Sequence, residues 1–168
     1  MSGKRAERGD VVVVAPSIVD GAALWRIARD SGKLDLNSSY AYLLWCRDFA
    51  ATSRIARIDG EVAGFVTGYL RPDAPDTLVV WQVAVDQRFR GQGLAATLLD
   101  ELVADVAAKG ARYLETTVTP DNEASVALFT GLARRLRTEH ERTDLFIREQ
   151  FPDEHETEVL HRIGPFSR

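Results

Sequence analysis

Residues 78–100 read LVVWQVAVDQRFRGQGLAATLLD, and a strand, a turn and a helix meet in them. The first eight residues are apolar except for Gln82, too few for most helices and rich in valine. Residues 78–85 are therefore expected to form a central strand buried on both faces. From Leu94 onward, Leu98, Leu99, Leu102, Val103 and Val106 fall on one face of a helix that Gly110 is placed to end. Between the two lies Arg88-Phe89-Arg90-Gly91-Gln92-Gly93. Glycines there let a ligand approach the backbone closely, several N–H groups point into one hollow, and the helix dipole adds partial positive charge. That combination suits a phosphate or diphosphate. A Gly-x-Gly pair by itself is equally compatible with a plain strand-to-helix turn.

Working outward, Val11–Val14 reads as a strand, and Asp20-Gly21 opens a helix with Leu24, Trp25, Ile27 and Ala28 inward. The stretch DLNSSYAY (35–42) crowds four potential caps before a second helix, in which Tyr40, Leu43 and Leu44 share a face and which fades near Thr52. Ile55–Ile58 and Glu61–Leu70 flank Asp59-Gly60, a pair that tolerates the positive φ angles of a tight hairpin. RPDAPDT (71–77) is expected to be a loop. Tyr113–Val118 reads as a strand, Asn122–Leu136 as a helix with Val126, Phe129, Leu132 and Leu136 on one side, and TEVLHRI (157–163) as a last strand. The order is that of a mixed α/β layered fold.

A chain of 168 residues with 45% apolar and 27% charged side chains fits one globular domain, here 11–168 behind a polar tail at 1–10. The net charge of -4 argues against a nucleic-acid partner. The lone Cys46 and three histidines offer no metal-ligand spacing, so no metal is expected, and Cys46 reads as a small buried filler. A reducing, cytoplasmic compartment follows. The start MSGKRAERGD lacks the apolar segment of a signal peptide, and nothing approaches a membrane span. Arg134-Arg135-x-Arg137 reads as a solvated helix end.

Arg88-x-x-Gly91-x-Gly93, after a strand and before a long amphipathic helix, resembles the acetyl-coenzyme A motif of the Gcn5-related N-acetyltransferases. Asn122-Glu123-Ala124-Ser125-Val126-Ala127-Leu128-Phe129 is similar to the second cofactor-side element of that family. The resemblance implies a twisted, mostly antiparallel sheet flanked by helices, in which the central strand splays from its neighbour so that pantetheine can pair with it. It implies that Val83, Ala84 and Val85 hold the pantetheine amides, with the Val83 N–H also serving the oxyanion. It assigns the diphosphate to the stretch from Arg88 through Arg90, Gly91, Gln92, Gly93 and Leu94 to Ala95, and puts Asn122, Ser125 and Phe129 beside the thiol. The chain departs from the family twice: Phe129 stands where many members have an acid tyrosine, and Trp81 and Gln82 stand where several have a base glutamate. Acid and base must come from elsewhere or from water.

DGAALW (20–25), LDLNSSYAYLL (34–44), GFVTGYLRP (64–72), TLVVWQVAV (77–85) and FPDEHETEVLHRI (151–163) resemble the branch that acetylates L-2,4-diaminobutyrate in ectoine biosynthesis. That acceptor has a carboxylate, an α-ammonium to be left alone and a γ-ammonium that must lose a proton before attack. Asp35 and Glu158 are the carboxylates for those ammonium groups, with Glu158 first choice as base and Asp35 for binding, the two roles being exchangeable. Asn37, Ser38 and Ser39 offer donors at a helix N-terminus, Trp81 and Tyr40 could wall the pocket, and His155 and Glu156 precede Glu158. Alternation would send Glu156 and Glu158 to one face. The resemblance also implies a homodimer. The residues alone leave other readings open: Asp35 or Asn37 as a simple cap, Trp81 as core, His155 as a loop-tying residue, and Glu156 with Glu158 as a solvent face. Another small diamine as acceptor, or a non-catalytic acyl-coenzyme A sensor, are the competing functions.

Overall fold

Asp59 and Gly60 turn the chain with φ of 51° and 80° in the computed structural model, which describes residues 9–167. Both central residues of a two-residue hairpin turn of this hand need positive φ, which Asp-Gly supplies. The turn joins β2 (Arg54–Ile58) to β3 (Glu61–Arg71), and β3 pairs antiparallel with β4 (Ala74–Val85). β1 (Val11–Val14) flanks β2, while β5 (Tyr113–Val118), β7 (Glu158–Ile163) and β6 (His140–Phe146) complete a seven-stranded sheet in the order β1-β2-β3-β4-β5-β7-β6. Every pairing is antiparallel except β4 with β5.

Helices α1 (Gly21–Ser31) and α2 (Ser39–Asp48) cover one face of the sheet, and α3 (Leu94–Ala108) and α4 (Glu123–Leu136) the other. Alternation along β3 divides its side chains between the two layers. Phe65 joins Leu24, Ile27, Tyr42 and Ile55, whereas its neighbour Val66 joins Leu98, Leu99, Leu102 and Leu132. All the expected inward positions of α3 are buried, and Gly110 follows its end with φ 110°. Among the described residues, no helix is long and apolar enough to cross a membrane.

Three expectations are corrected. The face of α2 that packs inward is Tyr42 with Cys46, while Tyr40 and Leu43 are exposed at 66% and 40%. The helix is apolar almost all round, so periodicity does not single out a face. RPDAPDT is not a loop: Arg71 ends β3 and β4 begins at Ala74, so the hairpin closes at Pro72-Asp73 and Pro75 lies where β4 has no partner on its β5 side. β6 was not expected, because HERTDLF has no apolar alternation. It is an edge strand exposed along nearly its whole length, held by its ladder to β7. The tail assigned to 1–10 lies, for residues 1–8, outside the described residues.

Where β6 meets β7, the rings of His140 and His161 share a hydrogen bond of 2.8 Å, which requires one nitrogen to donate and the other to accept. Burial pushes His161 down to about 4, and His140 and Arg142 add to this. An unfolded histidine titrates near 6.5, so the unfolded chain binds a proton that the folded chain refuses. Stability should therefore fall as pH drops from 6.5 towards 4, by on the order of 3 kcal/mol. Urea titrations across that range should show the fall, and His161→Gln should flatten it.

Candidate active site

The ladder between β4 and β5 lasts only from Thr77↔Tyr113 to Val79↔Glu115. Beyond it β4 stays with β3, and β5 turns to β7 through pairs that begin at Leu114↔Ile163 and end at Val118↔Val159. The backbone of β4 from Val80 to Val85 is thus left without a strand on one side. At the fork, Thr116 Oγ1 donates to the carbonyl of Val80 at 3.1 Å, so a side chain takes the place of the next ladder bond. Phe129 of α4, 2% exposed, belongs to the same core cluster as Val80 and Val118 and lines the opening. An apolar wedge and a threonine together keep the two strands apart.

Two cavities occupy the fork and meet at Lys33, Leu34, Val83, Asn122 and Ser125. The first, about 360 Å³, is bounded by Asp35, Asn37, Trp81, Thr117, His155 and Glu158. The second, about 340 Å³, runs along Val83, Ala84 and Val85 towards Arg90 and Ala95 at the start of α3. Gly91, Gln92, Gly93 and Leu94 line neither, but they form the turn that leads into that helix. Gly91 and Gly93 have φ of 80° and 74°, with open space where a Cβ would stand. The N–H groups of residues 91–93 meet no acceptor among the described residues, and the first N–H groups of a helix have none within it. Arg90 makes no ion pair among the described residues. This is an anion cradle with a free cation beside it.

Arg88 contradicts its assignment to that cradle. Its backbone N–H donates to Asp86 Oδ1 at 3.0 Å, and its guanidinium pairs with Asp86 at 3.1 Å and Glu61 at 3.2 Å. Asp86 also receives Arg26 of α1 at 3.0 Å. Burial pushes the Asp86 carboxyl up, but the hydrogen bonds from Arg88 and Arg26 outweigh it and hold the group at about 2. Arg88 braces the turn from behind.

In the first cavity, His155 Nε2 stands 3.7 Å from Glu158 Oε1 and 3.8 Å from Asp35 Oδ2, and Nδ1 is bonded to the carbonyl of Glu156 at 2.6 Å. Phe151 stacks on the ring at 3.9 Å, which fixes its plane. The bond to Glu156 raises the His155 pKa against partial burial, and Glu158, Asp35 and Asp153 raise it further. Burial raises the pKa of Glu158, with Asp35 and Asp121 adding to it and Thr117 and His155 opposing. Trp81 walls the cavity, stacked on Trp45 at 4.5 Å and 5°.

Other expected residues lie elsewhere. Glu156 precedes β7 instead of belonging to it, so alternation does not apply, and its carboxylate pairs with Arg148 away from the cavity. Tyr40 points to solvent, because the buried position of that turn is taken by Tyr42. Ser38 is spent as the cap of α2, accepting the N–H of Ala41 at 3.3 Å. Ser39 lines neither cavity. Asn122 likewise caps α4 by accepting from Ser125 N, at the junction of the two cavities. Sequence reasoning missed Lys33, Thr116 and Thr117. The threonines were the visible signal, two polar residues in an inner strand.

A splayed sheet whose open strand faces an anion cradle and an acid-lined cavity defines a coenzyme-dependent acyl-transfer architecture. The sequence matches the acetyltransferase (GNAT) family over residues 22–132. It is 60% identical over 165 residues to the L-2,4-diaminobutyric acid acetyltransferase of Streptomyces coelicolor, covering 96% of this chain and 97% of that one. It is 44% identical over 169 residues to the protein of that name from Marinococcus halophilus, covering 100% and 98%. The diaminobutyrate acetyltransferase EctA from Paenibacillus lautus, solved in complex with its substrate L-2,4-diaminobutyric acid and coenzyme A, superposes with a TM-score of 0.90 at 42% identity, covering 95% of this chain and 98% of that one. The chain belongs to the GNAT acetyltransferases, in the L-2,4-diaminobutyric acid acetyltransferase family.

Asp86→Asn keeps the shape of the brace but removes the charge that Arg26 and Arg88 share. Urea denaturation at neutral pH should show a loss of about 2 kcal/mol, the size expected for a carboxylate held this far below its usual pKa. The sign follows: the stabilisation is present above the ordinary aspartate pKa of 3.8 and disappears as pH falls through about 2.

Proposed function

We propose that the chain transfers the acetyl group of acetyl-coenzyme A directly to the γ-amine of L-2,4-diaminobutyrate, forming N4-acetyl-L-2,4-diaminobutyrate. The observation that carries this reading is the meeting of Glu158, His155 and Asp35 in one cavity that opens onto the unpaired edge of β4. Cys46 supports direct transfer. It is the sole cysteine, it is buried, burial and Asp20 raise it to about 11, and it lines neither cavity. The chain therefore has no thiol on which an acetyl group could rest.

The residues present fit acetyl-coenzyme A. Val83, Ala84 and Val85 present backbone groups to pantetheine amides, and the N–H groups of Gly91–Ala95 with Arg90 receive the diphosphate. Bound there, the coenzyme supplies the acetyl thioester. Asp35 holds the α-ammonium of the acceptor. Glu158, which burial makes a stronger proton acceptor than an ordinary carboxylate, takes the proton from the γ-ammonium. His155 lies between the two carboxylates and relays that proton outward. The Val83 N–H donates to the oxyanion as the amine adds. Ser125 and the N-terminus of α4 face the departing sulfur, which leaves as a thiolate without an acid from Phe129 and takes up the second amine proton as the amide forms. The same reading makes the protein a cytoplasmic homodimer acting in ectoine biosynthesis, the making of a compatible solute under osmotic stress.

Thiol release measured over a panel of diaminobutyrate, ornithine, lysine and polyamines tests the acceptor, and a preference for a longer diamine would overturn it. Glu158→Gln should lower kcat by about 10²- to 10⁴-fold with coenzyme affinity little changed. A base must be ionised, so activity should be lost as pH falls through the raised Glu158 pKa, on an acid limb above the usual 4.5. Near-normal turnover of Glu158→Gln would exclude Glu158 as base. Asp35→Ala should raise the acceptor KM by about tenfold. Ser38→Ala should instead cost about 1 kcal/mol of stability and leave that KM alone.

A further inference from the structure

Between Gly32, the left-handed end of α1, and Ser38, the cap of α2, the chain has no regular structure, yet this segment carries Asp35 to the acceptor cavity. Its first residues, Lys33 and Leu34, bond back to Ser31 Oγ, and at Asp35 one backbone atom ties the segment to the sheet. The carbonyl oxygen of Asp35 accepts from Gln82 Nε2 at 3.0 Å and from Asn37 Nδ2 at 3.2 Å. Gln82 is 6% exposed, and its amide is oriented from the other side by Tyr42, whose hydroxyl donates to Oε1 at 3.0 Å. The Asp35 carbonyl can only accept, so the amide nitrogen must face it, and the amide oxygen is then left to take the Tyr42 hydroxyl. Tyr42 is fully buried, edge-on to Phe65 at 6.5 Å and against Trp81 at 5.9 Å. A hydrogen-bond relay thus runs from the core to a loop of the acceptor site that lacks secondary structure.

We propose that Gln82, set by Tyr42, is a positioning residue for acceptor recognition. The relay holds the Asp35 backbone so that its carboxylate, 89% exposed and 3.8 Å from His155, stays over the cavity. The function lies in the Nε2 donor, and an amide has no basic site for an ammonium proton. A glutamate at this position would still accept from Tyr42 but would set a charged oxygen against the Asp35 carbonyl, two acceptors with no proton between them. The inference rests on Asp35 acting as the partner of the acceptor.

Steady-state kinetics with both substrates varied, together with hydrogen exchange of residues 33–38, test it in Gln82→Glu and Tyr42→Phe. Expected is a rise in acceptor KM of about tenfold, with the acetyl-coenzyme A KM within about twofold and kcat changed less than acceptor KM, and faster exchange in 33–38. Higher turnover in Gln82→Glu would identify an in-place base and overturn the proposal. So would parallel rises in both KM values, which mark a general structural defect, or an unchanged acceptor KM. If Gln82→Glu does not fold, Tyr42→Phe, which removes one hydroxyl, is judged by the same readings. If the unaltered protein acetylates no diaminobutyrate, the function proposal fails by itself. Exchange of 33–38 needs no acceptor and still decides the relay, and unchanged protection in Tyr42→Phe overturns it.

Discussion

The constraint on which the rest depends is that β4 and β5 run parallel for three residue pairs and then part. An inner strand stripped of one neighbour leaves polar backbone groups exposed within a sheet, a costly arrangement unless something else satisfies them. Thr116 replaces one bond and Phe129 props the gap. The remaining edge is available to a ligand that can hydrogen-bond like a strand. The two cavities are thereby set along one line of open β4 backbone, from the turn before α3 to Glu158 and Asp35.

Opposite charges are kept at the two ends of this line. At the end nearest α3, Asp86 and Glu61 gather Arg26 and Arg88 behind the turn, which balances those charges and leaves Arg90 and the bare N–H groups free for an anion. At the other end, Glu158 and Asp35 flank His155, and burial of Glu158 raises its pKa. Two carboxylates at one end suit cationic groups, and a helix start with bare N–H groups at the other suits an anion.

The hairpin at Asp59-Gly60, the face of α3 and the central strand were legible because each rests on a local rule: turn chemistry, helical period, or apolar run length. The site was legible in part. Asp35, Trp81, His155 and Glu158 do converge, although 35 and 158 are far apart in sequence. Glu156 and Tyr40 were misplaced because side-chain direction was inferred from neighbours two or three residues away, and the strand start at Glu158 and the buried Tyr42 reset both directions. β6 was invisible because an edge strand exposed on both faces has no apolar period to detect.

The sequence by itself determined the layered α/β order, the glycine turn before α3 and a set of acidic and aromatic residues suited to an amine acceptor. These depend on interactions within a few residues of one another. Only the tertiary structure decided which of the polar residues face the cavity, that Arg88 is engaged with Asp86 and Glu61 behind the turn, and that Gln82 links Tyr42 to the Asp35 carbonyl. The Gln82 bonds join residues 40 and 47 positions apart, and although Asp86 is a near neighbour of Arg88, a polar side chain gives no local sign of which of its possible partners it will meet.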